Sequence, residues 1–79
     1  MDHLLLHPVA GFSVDLIIEG DFGVVPIEIK LNSTIKRQSL KGLKNFIKGR
    51  QCSFGIIVNR GQRIEFITDK IIQVPVHYL

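Results

Sequence analysis

The sequence predicts a small α/β domain: a mixed β-sheet with one crossover helix, in the order β-β-α-β-β. Three observations predict it. Residues 12–19 (FSVDLIIE) and 24–31 (VVPIEIKL) alternate as half-buried strands do, with the turn signal Gly20-Asp21-Phe22-Gly23 between them. Residues 39–48 repeat their apolar side chains at helical spacing. Residues 53–59 (SFGIIVN) form a nearly continuous apolar run, the pattern of a strand covered on both faces.

Each element follows from its residues. Residues 1–11 read as an irregular segment ending near Pro8 and Gly11, and residues 12–79 as a single domain. After the two strands, residues 32–37 are a polar connection. Ser39 is the expected N-cap of a helix running to Lys48, and Gly49 the expected C′ stop. Leu40, Leu43, Phe46 and Ile47 share one face of that helix, while Lys41, Lys44 and Lys48 line another. A helix between strands two and three is a natural right-handed crossover between parallel strands. The apolar run 53–59 is the third strand. Asn59-Arg60-Gly61-Gln62 then turns into a short strand at 64–67, and residues 71–76 (IIQVPV) are a last extended piece.

Size and composition bound the function. At 79 residues the chain has room for one domain. Cys52 is the only cysteine, so no disulfide staples the fold, and a lone thiol matches a reducing, cytoplasmic compartment. A domain this small that is 46% apolar leaves apolar surface uncovered, which predicts a homo-oligomer or a neighbouring chain. The run Leu4-Leu5-Leu6 is too short for a signal peptide or a membrane span, so no membrane partner is expected. Net charge is only +3, yet residues 30–50 hold Lys30, Lys36, Arg37, Lys41, Lys44, Lys48 and Arg50 and no acid. Such a stretch is either a solvated helix face or a surface for polyanions, nucleic acid among them.

The first two strands pair from their pattern alone. With the turn centred on Asp21-Phe22, Val14 meets Ile29, Leu16 meets Ile27 and Ile18 meets Val25, giving one wholly apolar face. The same register sets Ser13 opposite Lys30, Asp15 opposite Glu28 and Ile17 opposite Pro26 on the other face. Pro26 cannot donate to the ladder, and a bulge near it would shift this register by one residue. Two opposed carboxylates repel unless a divalent cation lies between them, and Mg²⁺ binds through one or two carboxylates while keeping several waters. Asp15 and Glu28 are therefore the candidate metal ligands. Such a cation polarises a phosphodiester and activates water. Lys30, two residues beyond Glu28, points the same way and is placed to stabilise transition-state charge. The alternative is a cross-strand charge cluster on a wet sheet face.

The string VDLIIEGDFGVVPIEIK resembles the Asp, then Glu-x-Lys core of the PD-(D/E)XK nuclease superfamily. More narrowly, FSVDLIIE, PIEIKLNSTIKRQSLKGLKNFIKG, GIIVNRG and IIQVPVHYL together are similar to the C-terminal domain of uncharacterised function on bacterial and archaeal P-loop ATPases. The resemblance covers residues 12–79. It implies a truncated restriction-endonuclease-like core, with Asp15, Glu28 and Lys30 at the catalytic positions. The superfamily usually begins with a helix, often bearing a further acidic residue, and none is expected in this sequence. No GxxxxGK(S/T) is present, so no ATP site is expected. The expectation is a detached C-terminal module, a split product or a remnant, with a separate ATPase chain as one partner.

Other residues carry less. His3 and His7 have helical zinc-ligand spacing but no third ligand, and Pro8 opposes a helix there. His77 and Tyr78 read as packing or solvated residues, and Gln38 as part of the helix-entry turn. Lys36, Arg37, Lys41, Lys44 and Lys48 are the candidate phosphate contacts, which carry affinity more than sequence choice. Two functions compete: a Mg²⁺-dependent nuclease acting on DNA or RNA, and a non-catalytic nucleic-acid-binding or assembly module.

Overall fold

A computed structural model describes residues 5–8, 14–31 and 37–79, the side chains of residues 5–8 and of Ser39 excepted. Among these residues six strands form one mixed sheet: β1 (Leu5–Pro8), β2 (Leu16–Gly20), β3 (Gly23–Ile29), β4 (Gly55–Asn59), β5 (Glu65–Thr68) and β6 (Ile71–Pro75). Their order across the sheet is β1-β2-β3-β4-β6-β5. The first three strands are antiparallel, β3, β4 and β6 are parallel, and β5 returns antiparallel to β6. One helix, α1 (Arg37–Arg50), crosses from β3 to β4. The α/β class, the mixed sheet and the crossover all stand as the sequence predicts.

The hairpin pairs as its pattern requires. Leu16 meets Ile27, Ile17 meets Pro26 and Ile18 meets Val25, closing at Gly20 and Gly23. Pro26 stays in register. The Lys30 N–H donates to the Val58 carbonyl of β4 at 2.8 Å, and strand N–H groups alternate in direction. Position 26 thus also faces β4, whose ladder with β3 starts only at Ile27. The missing proline N–H leaves no gap in the β2 ladder. The bulge lies at Asp15, opposite the residue next to Pro26: its N–H donates to the Ile27 carbonyl at 3.0 Å, although Ile27 is already the partner of Leu16. Two residues of one strand oppose one of the other, and the chain changes face there. Val14 consequently joins the core beside Ile17.

Which face is covered is a correction. The face carrying Ile17, Pro26 and Glu28 was expected to be the wet one, but α1 docks on it. Leu43, Phe46 and Ile47 of the helix pack with Ile17, Ile57 and Ile71 of the sheet. The reason is that β4 and β6 add Ile57 and Ile71 to this face, and Gly55 lets the helix approach. A Cβ at position 55 would lie 2.9 Å from Ile47 Cδ1. Val25, Ile27 and Val58, on the other face, are buried as well.

Three boundaries differ from expectation. Leu5–Pro8, within the segment expected to be irregular, pair with β2 as an edge strand. The helix starts at Arg37, ahead of Ser39, and runs through Gly49. It stops where Gln51 takes a left-handed φ of 54°. The Cys52 N–H then reaches back to the Ile47 carbonyl at 2.9 Å, and the Gln51 N–H to that of Lys48 at 3.4 Å, a Schellman closure with Cys52 and Ile47 in apolar contact across it. Finally, the last extended piece is an interior strand. Ile71, Gln73 and Pro75 of β6 are buried, whereas β5 exposes Phe66 at the sheet edge. No helix among the described residues is long and apolar enough to cross a membrane.

Candidate functional site

Parallel strands β3, β4 and β6 end together at their carboxyl ends, and ligands of open α/β sheets bind in that region. The bulge brings Asp15 there. Its backbone leaves the ladder, and its Oδ2 accepts a 2.7 Å hydrogen bond from the Ile29 N–H, the donor that a continued β2 ladder would have used. The carboxylate therefore sits beside the peptide that joins Glu28 to Ile29. Asp15 is exposed, whereas Glu28 is only 1% exposed. Glu28 is the register partner of Ile57, so it faces the helix side of the sheet. Direct opposition of Asp15 and Glu28 in the ladder is thus corrected: the Asp15 carboxylate meets the backbone N–H that follows Glu28, while the Glu28 side chain turns to the helix side. An open charge cluster on a wet face is corrected too, because the packed helix covers the face that Glu28 occupies. Lys30 follows β3 and is exposed.

The same face continues as a polar row that sequence reasoning missed. Ile57 partners Gln73 in β6, and Gln73 partners Glu65 in β5. Asn59, at the end of β4, is fully buried. Its Nδ2 donates to Gln73 Oε1 at 3.0 Å, and its Oδ1 accepts from the Gly61 N–H at 2.9 Å. Gln73 Nε2 donates in turn to the Arg63 carbonyl at 3.0 Å. A signal for this was present: Gln73 is the one polar residue in the IIQVPV segment, and Asn59 ends the GIIVN run. Buried amides are tolerated where their hydrogen bonds are made.

The chemistry of this donor set is limited. Among the described residues, no group of three or more His, Cys, Asp or Glu side chains could hold a metal ion. A pair of carboxylates suits a hard cation that keeps water or substrate oxygens for its other positions.

A family model described as "Domain of unknown function (DUF4143)" matches residues 9–79. The chain belongs to this family. Comparison with curated proteins and with solved structures found no match. The DUF4143 match spans Asp15, Glu28, Lys30, the helix and the Asn59–Gln73 network.

Arg37, Lys41, Lys44 and Lys48 recur at intervals of four, three and four residues, so all four lie on one stripe of the DUF4143 helix, and all are exposed. Lys36 lies outside the described residues, as does His3. Gln38 is exposed in the first helical turn. Arg50 leaves the stripe, with its guanidinium 5.2 Å from the Phe46 ring centroid. At the C-terminal end of the helix a cleft of about 460 Å³ is lined by Lys44, Lys48, Asp69, Lys70 and the buried Cys52, among others. Burial pushes the Cys52 thiol above its ordinary value, against a smaller opposing effect of Arg50. A protonated, buried thiol is a poor nucleophile. His77 and Tyr78 are both exposed, with ring centroids 4.7 Å apart and planes tilted by 50°.

Proposed function

We propose that this DUF4143 chain is a nuclease-like module of the PD-(D/E)XK type, with Asp15 and Glu28 as ligands for Mg²⁺ and Lys30 as the adjacent cation. The observation that carries this is the bulge at Asp15. It gives up regular pairing to set a carboxylate against the Glu28–Ile29 peptide, at the carboxyl end of a parallel sheet. When bound, the cation supplies Lewis acidity toward a phosphodiester oxygen and a more acidic water. The residues of the chain do the rest. Asp15 and Glu28 hold the charge in place, Lys30 offers an ammonium to the non-bridging oxygens, and the stripe Arg37, Lys41, Lys44 and Lys48 holds the backbone through its phosphates. A cleavage assay on DNA and RNA with Mg²⁺ or Mn²⁺ tests this, with Glu28→Ala as control. Metal-dependent cleavage that disappears in the variant supports it, and equal cleavage by both proteins contradicts it.

One observation favours the second function, a non-catalytic nucleic-acid-binding or assembly module working with a separate chain. Glu28 lies on the face that the helix covers. On that basis the basic stripe binds a polyanion and no bond is broken. Binding without cleavage in the same assay distinguishes the two.

A further inference from the structure

The buried amides Asn59 and Gln73 do more than fill space. Between them they fix both halves of the loop joining β4 to β5. Asn59 holds the Gly61 N–H, and Gln73 holds the Arg63 carbonyl while bonded to Asn59. Gly61 is part of the lock: a Cβ there would lie 2.7 Å from Gln73 Nε2 and 3.0 Å from Asn59 Oδ1. Arg60 is exposed and stands between two tied positions, Asn59 and Gly61. Its backbone is held by a network whose two amides, Asn59 and Gln73, are buried in the sheet.

That position lies at the carboxyl edge of the parallel strands, level with Lys30. Ile29 partners Val58, and the Lys30 N–H donates to the Val58 carbonyl, so Lys30 and Asn59 leave neighbouring strands at the same level. Neighbouring strands lie about 4.8 Å apart. Arg60 is the residue after Asn59. The carboxyl edge of the parallel strands thus presents Lys30 and Arg60 on the adjacent ends of β3 and β4, with the Asp15 carboxylate on the β2 side of β3. A guanidinium carried on a fixed backbone suits bidentate binding of a phosphate, more so than an ammonium on a flexible stem.

We propose that Arg60 is a phosphate-contact residue of this site, held in place by the Asn59–Gly61–Gln73 lock, and that its ligand is a backbone phosphate of nucleic acid. The proposal rests on the nucleic-acid reading given above. It adds a contact at the sheet edge, separate from the helical stripe.

The test is fluorescence anisotropy of a short labelled DNA duplex titrated with wild type, Arg60→Gln and Arg50→Gln across a range of salt. Arg50, off the stripe and over the Phe46 ring, ends the helix that leads to the amino end of β4 and so lies at the other end of the sheet. Arg60→Gln is expected to weaken binding about 3- to 10-fold and to lower the salt slope by about 0.9, the loss of one phosphate contact. Arg50→Gln is expected to change neither. If the wild type binds and Arg60→Gln matches it in affinity and slope, the Arg60 contact is overturned while the basic-stripe reading stands. If Arg50→Gln weakens binding as much as Arg60→Gln, the effect is general charge and the contact is overturned as well. If the wild type does not bind, both readings fall together.

Discussion

The Asp15 carboxylate accepts a hydrogen bond of 2.7 Å from the backbone N–H of Ile29, a residue fourteen positions on in the neighbouring strand. This bond replaces a ladder contact and sets the position of the acid. Asp15→Asn keeps an acceptor at the same place and should change stability by under about 1 kcal/mol. Asp15→Ala removes it, and an exposed bond of this kind contributes about 0.5–1.5 kcal/mol. Urea unfolding of the two variants measures the difference. A larger loss in Asp15→Asn than in Asp15→Ala would contradict the assigned role.

The basic stripe makes a salt prediction. Four exposed cations at helical spacing, each meeting one phosphate, give a slope of log affinity against log salt of about −3 to −4. Replacing Lys41 and Lys44 together by Glu should abolish most binding to a DNA duplex. Retained affinity in that double variant would remove the stripe from the contact surface.

Much of the fold was legible because local pattern settles it. The hairpin register follows from two alternating strands and a two-residue turn, and Leu16–Ile27 and Ile18–Val25 pair as the pattern requires. What escaped was decided by residues far apart in sequence. The hairpin is apolar on both faces, with Ile17 and Pro26 sharing a side with Glu28. Only Ile57 and Ile71, from later strands, determine that the helix docks there. The helix end was misplaced because Gly49 is the obvious stop, yet Gln51 adopts the left-handed turn that ends it. In the candidate site, Asp15 and Glu28 were picked by residue type, and the structure sets the Asp15 carboxylate on the Ile29 N–H while burying Glu28. The means was hidden, because a bulge at Asp15 has no marker as plain as Pro26. The Asn59–Gln73 lock joins strands that only the sheet order brings together.

The helix stop gives a stability prediction. Gln51 holds a φ of 54°, which costs a side chain about 1 kcal/mol and glycine nothing. Gln51→Gly should stabilise the fold by up to about 1 kcal/mol in urea unfolding, the gain being reduced by the entropy of glycine in the unfolded chain. Destabilisation would mean that the Gln51 side chain makes contacts worth more than the strain.

Cys52 gives a pH prediction. Burial raises its thiol pKa above the ordinary 9.0, so the folded chain keeps a proton that the unfolded chain gives up. The sign follows from linkage: the contribution is fully present below the unfolded pKa and is lost as pH rises toward the folded one. Stability should fall as pH climbs from about 8.5 upward, and Cys52→Ala should flatten that part of the curve. Identical alkaline profiles for the two proteins would exclude Cys52 as the cause.

The joint metal site of Asp15 and Glu28 is the central claim, and calorimetric titration of Mn²⁺ into wild type, Asp15→Asn and Glu28→Gln tests it most directly. Each substitution keeps side-chain volume, so circular dichroism should show the fold intact. Glu28→Ala, which empties a buried position, should instead cost about 2–3 kcal/mol. Deprotonated carboxylates are the ligands, so wild-type affinity should fall as pH is lowered. The account predicts saturable binding in the wild type and its loss in both amide variants. Equal Mn²⁺ affinity in the wild type and in folded Glu28→Gln would contradict it.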